Sequence, residues 1–103
     1  MPVFPKNVSL RQMRAFQEVA RCGAFAPAAR HLCLTQSALS ESIRQLEEAV
    51  GLRLFDRTTR TVGLTAAGTT FLQDVSLALE ALDQGLQRMA DLSALRGGEV
   101  RIA

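Results

Sequence analysis

Residues 35–44 concentrate hydrogen-bonding side chains in one short stretch: Thr35, Gln36, Ser37, Ser40, Glu41 and Arg44. These types suit recognition of base edges. Glutamine can bond an adenine edge through two contacts. Serines are short enough for close approach to base or phosphate. Arginine reaches phosphate or guanine, and a carboxylate accepts from the cytosine amino group. A second group follows at Arg57, Thr59 and Arg60. Arginine at a loop tip suits the negative potential of a narrow minor groove. Each assignment has a plainer counterpart. The polar residues of 35–44 can simply face solvent. Glu41 can contact a base, stay solvated, or pair with Arg44 or Arg11. Arg57 can meet DNA, or pair with Asp56 or a helix acid.

Other chemistry finds little to assemble. The chain has one histidine, no tyrosine, no tryptophan and no glycine-rich phosphate loop, which argues against an enzyme. Cys22 and Cys33 stand 11 residues apart with no second pair. Structural zinc usually takes four ligands, and only His31 adds a nitrogen, so neither a metal nor another cofactor is expected. Both cysteines are expected as reduced thiols partly buried in helices.

The recognition residues need a scaffold, and the apolar pattern supplies one. Ser9 is placed to cap a helix in which Leu10, Met13, Phe16 and Ala20 share a face, with Gly23 as its stop. Pro27 is expected to open a second helix of about two turns, because proline lacks only an N–H that is unbonded at that point. A three-residue joint, Cys33 to Thr35, leads into a third helix over 36–50 with Leu39, Ile43, Leu46 and Val50 inward. Such close helices have helix-turn-helix spacing. On the third, Ser37, Glu41, Arg44 and Glu48 point away from the apolar stripe. Gly51 ends it. Residues 52–65 predict a short two-stranded hairpin, Leu54 and Phe55 on one arm, Val62 and Leu64 on the other.

Thr65 is placed to cap a long helix reaching about Leu95. Leu72, Val75, Leu79, Leu82, Leu86 and Met89 alternate steps of three and four along it, as a two-helix seam does. That spacing fits either core or dimer interface, and the length favours the interface. Gly97-Gly98 is expected as a joint, and the chain is expected to have been cut ahead of a further domain.

The net charge of +2 is modest, yet its distribution is uneven. Residues 1–60 hold nine Lys/Arg against five acids, and 61–103 hold three against five. This suits a nucleic-acid-contacting head and a solvated helix. With 48% apolar residues the chain can form a core. No apolar run approaches the roughly 18 residues of a membrane span, and nothing suggests export, so no membrane partner is expected.

Over residues 10–68 the sequence resembles the head of LysR-type transcriptional regulators. The carriers are Phe16, Val19-Ala20, Gly23, Phe25, Ala28-Ala29, Leu32, Thr35-Gln36, Ser40, Ile43, Leu46-Glu47, Gly51, Leu54-Phe55, Arg57, Arg60, Leu64-Thr65 and Gly68. The resemblance implies a mainly α fold. A winged helix-turn-helix of three helices and a two-stranded wing spans 1–65, a linker dimerisation helix 66–96, and a hinge 97–103. It implies a cytoplasmic bacterial regulator of double-stranded DNA. The operator would be an inverted repeat, bound by a homodimer or a tetramer. The helix over 36–50 would sit in the major groove and the wing in the minor groove. A small-molecule effector would act only through a domain absent from this chain. Ala24-Phe25-Ala26 stands where the family often has Ser-Phe-Thr, Ser37 where proline is common, and Glu41 where arginine or lysine is common. These departures bear on base preference. A winged head that has lost DNA binding and works through its long helix is the competing class.

Overall fold

The structure is a computed structural model, and it describes residues 7–57 and 61–97. The element order is α1 (Leu10–Cys22), α2 (Phe25–Leu32), α3 (Gln36–Val50), β1 (Phe55–Asp56), β2 (Gly63–Leu64) and α4 (Ala66–Gly97).

Helix α1 begins in a reciprocal capping box. Ser9 Oγ accepts from Gln12 N at 3.2 Å, and Gln12 Oε1 accepts from Ser9 N at 3.1 Å. Two otherwise unpaired backbone donors are thereby satisfied. Gly23 ends α1 at φ 71°, where a side chain would be strained. The inward face is Met13, Ala15, Phe16 and Val19, joined by Gln12. The expected Leu10 is 47% exposed instead, while Gln12 and Met13 of the same turn are buried.

Helix α2 starts two residues before the expected Pro27, at Phe25, with extended Ala24 ahead of it and no side-chain cap. Pro27 is therefore third in the helix. Its missing N–H still falls among the first-turn donors that have no intrahelical partner, so the earlier start loses no hydrogen bond. At the far end Cys33 takes the left-handed conformation at φ 58°. Cys33 N donates to Arg30 O at 3.2 Å and Leu34 N to Ala29 O at 2.9 Å. These are the two bonds of a Schellman stop, with cysteine where glycine is usual. Cys33 is thus exposed in the turn, not partly buried in a helix as expected.

The three-residue joint is as expected. Thr35 Oγ1 accepts from Ala38 N at 3.0 Å and starts α3, which Gly51 ends at φ 78°. Leu39, Ile43 and Leu46 are fully buried, and Val50 packs at the edge of the core. Strands β1 and β2 pair antiparallel, Phe55 opposite Leu64 and Asp56 opposite Gly63. Val62 N donates to Gly23 O at 3.2 Å, which ties the returning arm to the α1–α2 corner. The core centres on Phe16. Its ring lies 5.3 Å from that of Phe55 and 5.5 Å from that of Phe71.

Thr65 caps α4, its Oγ1 accepting from Gly68 N at 3.0 Å and donating to Arg53 O at 2.6 Å. Gly68 itself sits against the residue that leads into β1: a Cβ there would lie 2.1 Å from Leu54 O. Only a glycine lets the helix start this close to the strand.

The predicted seam on α4 divides. Val75 and Leu79 are buried in the head's own core, and Leu72 packs partly against it. Gln17 Nε2 donates to Ser76 Oγ at 3.3 Å, and Arg14 pairs with Asp83 at 3.1 Å, holding this part of α4 along α1. Leu82, Leu86 and Met89 remain exposed, together with Leu77, Leu92 and Leu95. The expectation that the whole stripe was too long for the head is corrected for its first half. The head's apolar core covers α4 as far as Leu79, and the Arg14–Asp83 pair lies just beyond it.

Candidate nucleic-acid interface

One face of α3 is core, and the opposite face is polar and open. Gln36, Ser37, Glu41, Arg44 and Glu48 are exposed there, with Ser40 half-buried at the edge. Thr35 is exposed, and its hydroxyl is already engaged as the cap.

Glu41 and Arg44 hold each other through two contacts. Arg44 Nε donates to Glu41 Oε1 at 2.9 Å and Nη2 to Oε2 at 2.6 Å. Gln45 Nε2 adds a third bond to Oε2 at 3.0 Å, and Glu48 stands 3.8 Å from Arg44 Nη1. The Arg44 guanidinium, then Gln45, brings the Glu41 carboxyl down to about 2, and the same contact raises Arg44. Of the three readings open for Glu41, the intramolecular pair with Arg44 is the one present in the free chain.

Arg57 turns inward to a helix acid. Its Nη2 donates to Glu47 Oε1 at 3.3 Å, and its guanidinium lies 5.0 Å from the centre of the Phe25 ring. About a third of the side chain still meets solvent (32%). Arg44, Arg53 and Arg57 line one open depression with Glu47, Glu48, Gly51 and Leu52, so the end of α3 and the base of the hairpin share a surface. Thr59 and Arg60 lie outside the described residues.

Glu47 is the residue that sequence reasoning passed over. It is 7% exposed, and one oxygen, Oε2, accepts from both Leu54 N (2.8 Å) and Phe55 N (3.2 Å). Its other oxygen faces Arg57 and, at 3.7 Å, Arg53. A buried carboxylate thus aligns the strand entering the hairpin. The signal was present: Glu47 is one helical turn after Ile43 and next to Leu46, so it falls inside the apolar arc of α3. An acid in that arc requires partners.

A capped α3 presenting polar side chains beside a two-stranded hairpin, on a core closed by α1, α2 and the start of α4, is a winged helix-turn-helix. The family described as bacterial regulatory helix-turn-helix protein, lysR family, matches residues 10–69, and the chain belongs to that family. Among its relatives is the HTH-type transcriptional regulator ClcR of Pseudomonas putida, 42% identical over 98 residues, covering 93% of this chain and 33% of the relative. The HTH-type transcriptional activator CmpR of Synechocystis is 38% identical over 98 residues, 95% of this chain and 32% of the relative. The chain therefore spans about a third of the length of the curated relatives it matches. The BenM DNA-binding domain, solved in complex with catB site 1 DNA, superposes with a TM-score of 0.81 at 33% identity, over 84% of this chain and 98% of that one. The CbnR DNA-binding domain, also solved with DNA, gives 0.76 at 32% identity over 84% of this chain and 99% of that one. The relatives are transcriptional regulators. Among the described residues, no helix is long and apolar enough to cross a membrane.

Proposed function

We propose that this chain binds double-stranded DNA sequence-specifically as a homodimer, and that it does so in the bacterial cytoplasm as part of a transcriptional regulator. Helix α3 enters the major groove with Gln36, Ser37, Ser40 and Arg44 toward the bases and phosphates. The hairpin, with Thr59 and Arg60, lies along the adjacent minor groove. The observation that carries this reading is the two-sided α3: one face sealed in the core, the other polar, exposed and continuous with the arginine-lined depression at the hairpin base. The BenM and CbnR domains that superpose on the chain are themselves solved on DNA. In the proposed division of labour, 1–65 reads DNA and 66–96 links subunits. The exposed Leu82, Leu86 and Met89 form the apolar face that a second copy covers, and an inverted repeat is the operator a two-fold dimer selects.

The test selects bound duplexes from a random pool and then titrates salt. The expected result is a recovered inverted repeat, bound with an affinity that falls steeply as salt rises, because each phosphate contact releases counterions. Weak binding to every duplex, flat with salt, overturns the reading.

A further inference from the structure

The fold brings together three residues that the sequence scatters. Glu18 and Cys22 lie one turn apart on α1, and His31 comes from the last turn of α2. Their potential ligand atoms all lie within 4.8 Å of one another. Cys22 Sγ is 3.6 Å from His31 Nδ1 and 3.5 Å from Glu18 Oε2, and His31 Nδ1 is 2.7 Å from Glu18 Oε2. Zinc sits about 2.3 Å from sulfur and about 2.0–2.1 Å from nitrogen or oxygen. At tetrahedral angles those bonds set sulfur about 3.5 Å from each lighter ligand. Both sulfur distances already have that value. Only the nitrogen–oxygen edge, now a hydrogen bond of 2.7 Å, must open, by about 0.6–0.7 Å.

We propose that Glu18, Cys22 and His31 form a three-ligand site for a divalent ion of the zinc class, with water in the fourth position. Thiolate, imidazole and carboxylate are the donor set that a borderline-soft cation takes, and calcium or magnesium does not. Arg21 currently bridges Glu18 and His31, its Nη2 lying 2.8 Å from His31 Nδ1. Its side chain is largely in solvent, and the cation takes over its charge-balancing role as the arginine swings out. On binding, the Cys22 S–H proton passes to solvent, and the Nδ1 proton shared with Glu18 leaves as His31 takes its Nε2–H tautomer, so that sulfur–metal and nitrogen–metal bonds form in place of the S–H and N–H bonds. The ion would staple the α1–α2 corner, whose Gly23 carbonyl accepts the Val62 N–H of the hairpin arm.

The experiment uses the full chain, reduced and chelator-treated. Zinc(II) is titrated by calorimetry and cobalt(II) by absorption. One ion per chain is expected, with the thiolate-to-cobalt charge-transfer band and the strong visible bands of a tetrahedral site. An orienting partner of a ligand is worth about 10–100-fold in affinity, so removing a ligand should cost at least tenfold. Cys22→Ser, His31→Gln and Glu18→Gln are each expected to weaken zinc by that much, with helical content unchanged by circular dichroism. Cys33→Ser should leave the affinity within about twofold, since that thiol is outside the cluster. Absence of the charge-transfer band in the unmodified chain overturns the site. So does equal zinc affinity in the Cys22→Ser/His31→Gln double variant, or loss of binding in Cys33→Ser.

Discussion

Replacing Glu47 by alanine should unfasten the hairpin from α3. In the folded chain Glu47 Oε2 accepts from Leu54 N and Phe55 N, and both residues are 1% exposed. Truncation leaves two buried backbone donors without an acceptor, at about 1–3 kcal/mol each. The partner arginines soften the total. Arg53 is largely exposed and its pair is worth little, and Arg57 keeps its place over Phe25. Some water will also reach the vacated site, so the expected loss is about 3 kcal/mol, toward the lower half of the two-donor range. For a domain of this size that is a fall in Tm of about 12–24 °C. Glu47→Gln keeps one carbonyl oxygen for the two N–H groups and should lose about 1 kcal/mol. Chemical denaturation gives the free energies, and amide hydrogen exchange at Leu54 and Phe55 tells where the loss occurs. Protection there should collapse in the alanine variant and survive in the glutamine variant. An alanine variant within about 1 kcal/mol of the parent refutes the reasoning. Equal losses in the two variants would show that charge, not the pair of backbone bonds, is what Glu47 supplies.

Three further outcomes follow from the same structure. Gly68→Ala places a Cβ 2.1 Å from Leu54 O, so the start of α4 must move from the strand; a loss of about 2 kcal/mol or more is expected by thermal denaturation, and no loss would show that the contact yields easily. Leu86→Glu with Met89→Glu should give a monomer in sedimentation while the Tm of the head is kept. Leu79→Glu should instead unfold the head, because Leu79 belongs to its core; a persisting dimer in the first variant rejects the exposed stretch of α4 as the interface. Glu41→Gln removes a negative charge from the face of α3 proposed to meet DNA and releases Arg44, so affinity for arbitrary duplexes should rise severalfold with a salt slope larger by about one in fluorescence anisotropy. A loss confined to the selected operator would show that Glu41 contacts a base. The Glu41 carboxyl is depressed by Arg44 from 4.5 to about 2, so its pairing is intact above 4.5 and lost as pH falls through about 2. The acid end of the stability profile should accordingly flatten in the glutamine variant, with no change between pH 5 and 8.

Local rules were enough for most of the backbone plan, the uncapped start of α2 at Phe25 and its left-handed stop at Cys33 apart. Ser9, Thr35 and Thr65 announce helix starts because a side-chain oxygen must satisfy first-turn donors. Gly23 and Gly51 announce stops because the chain must turn left-handed there. The polar face of α3 was legible for the same reason: its apolar stripe at steps of three and four leaves the other side to solvent. What periodicity cannot express is which apolar face meets which. Leu79 and Leu82 look alike in a stripe. Only the docking of α4 along α1 makes one core and leaves the other exposed, since the head is wide enough to cover the helix just that far. The same holds for charged residues whose partners are distant in sequence. Glu47 as the anchor of Leu54 and Phe55, Arg57 turned inward over Phe25, and Glu18, Cys22 and His31 gathered at one corner all depend on chain segments brought side by side. Sequence fixes propensity and pattern within an element. The pairing of side chains across elements is set by packing, and here it decides the anchoring of the hairpin and the composition of the α1–α2 corner.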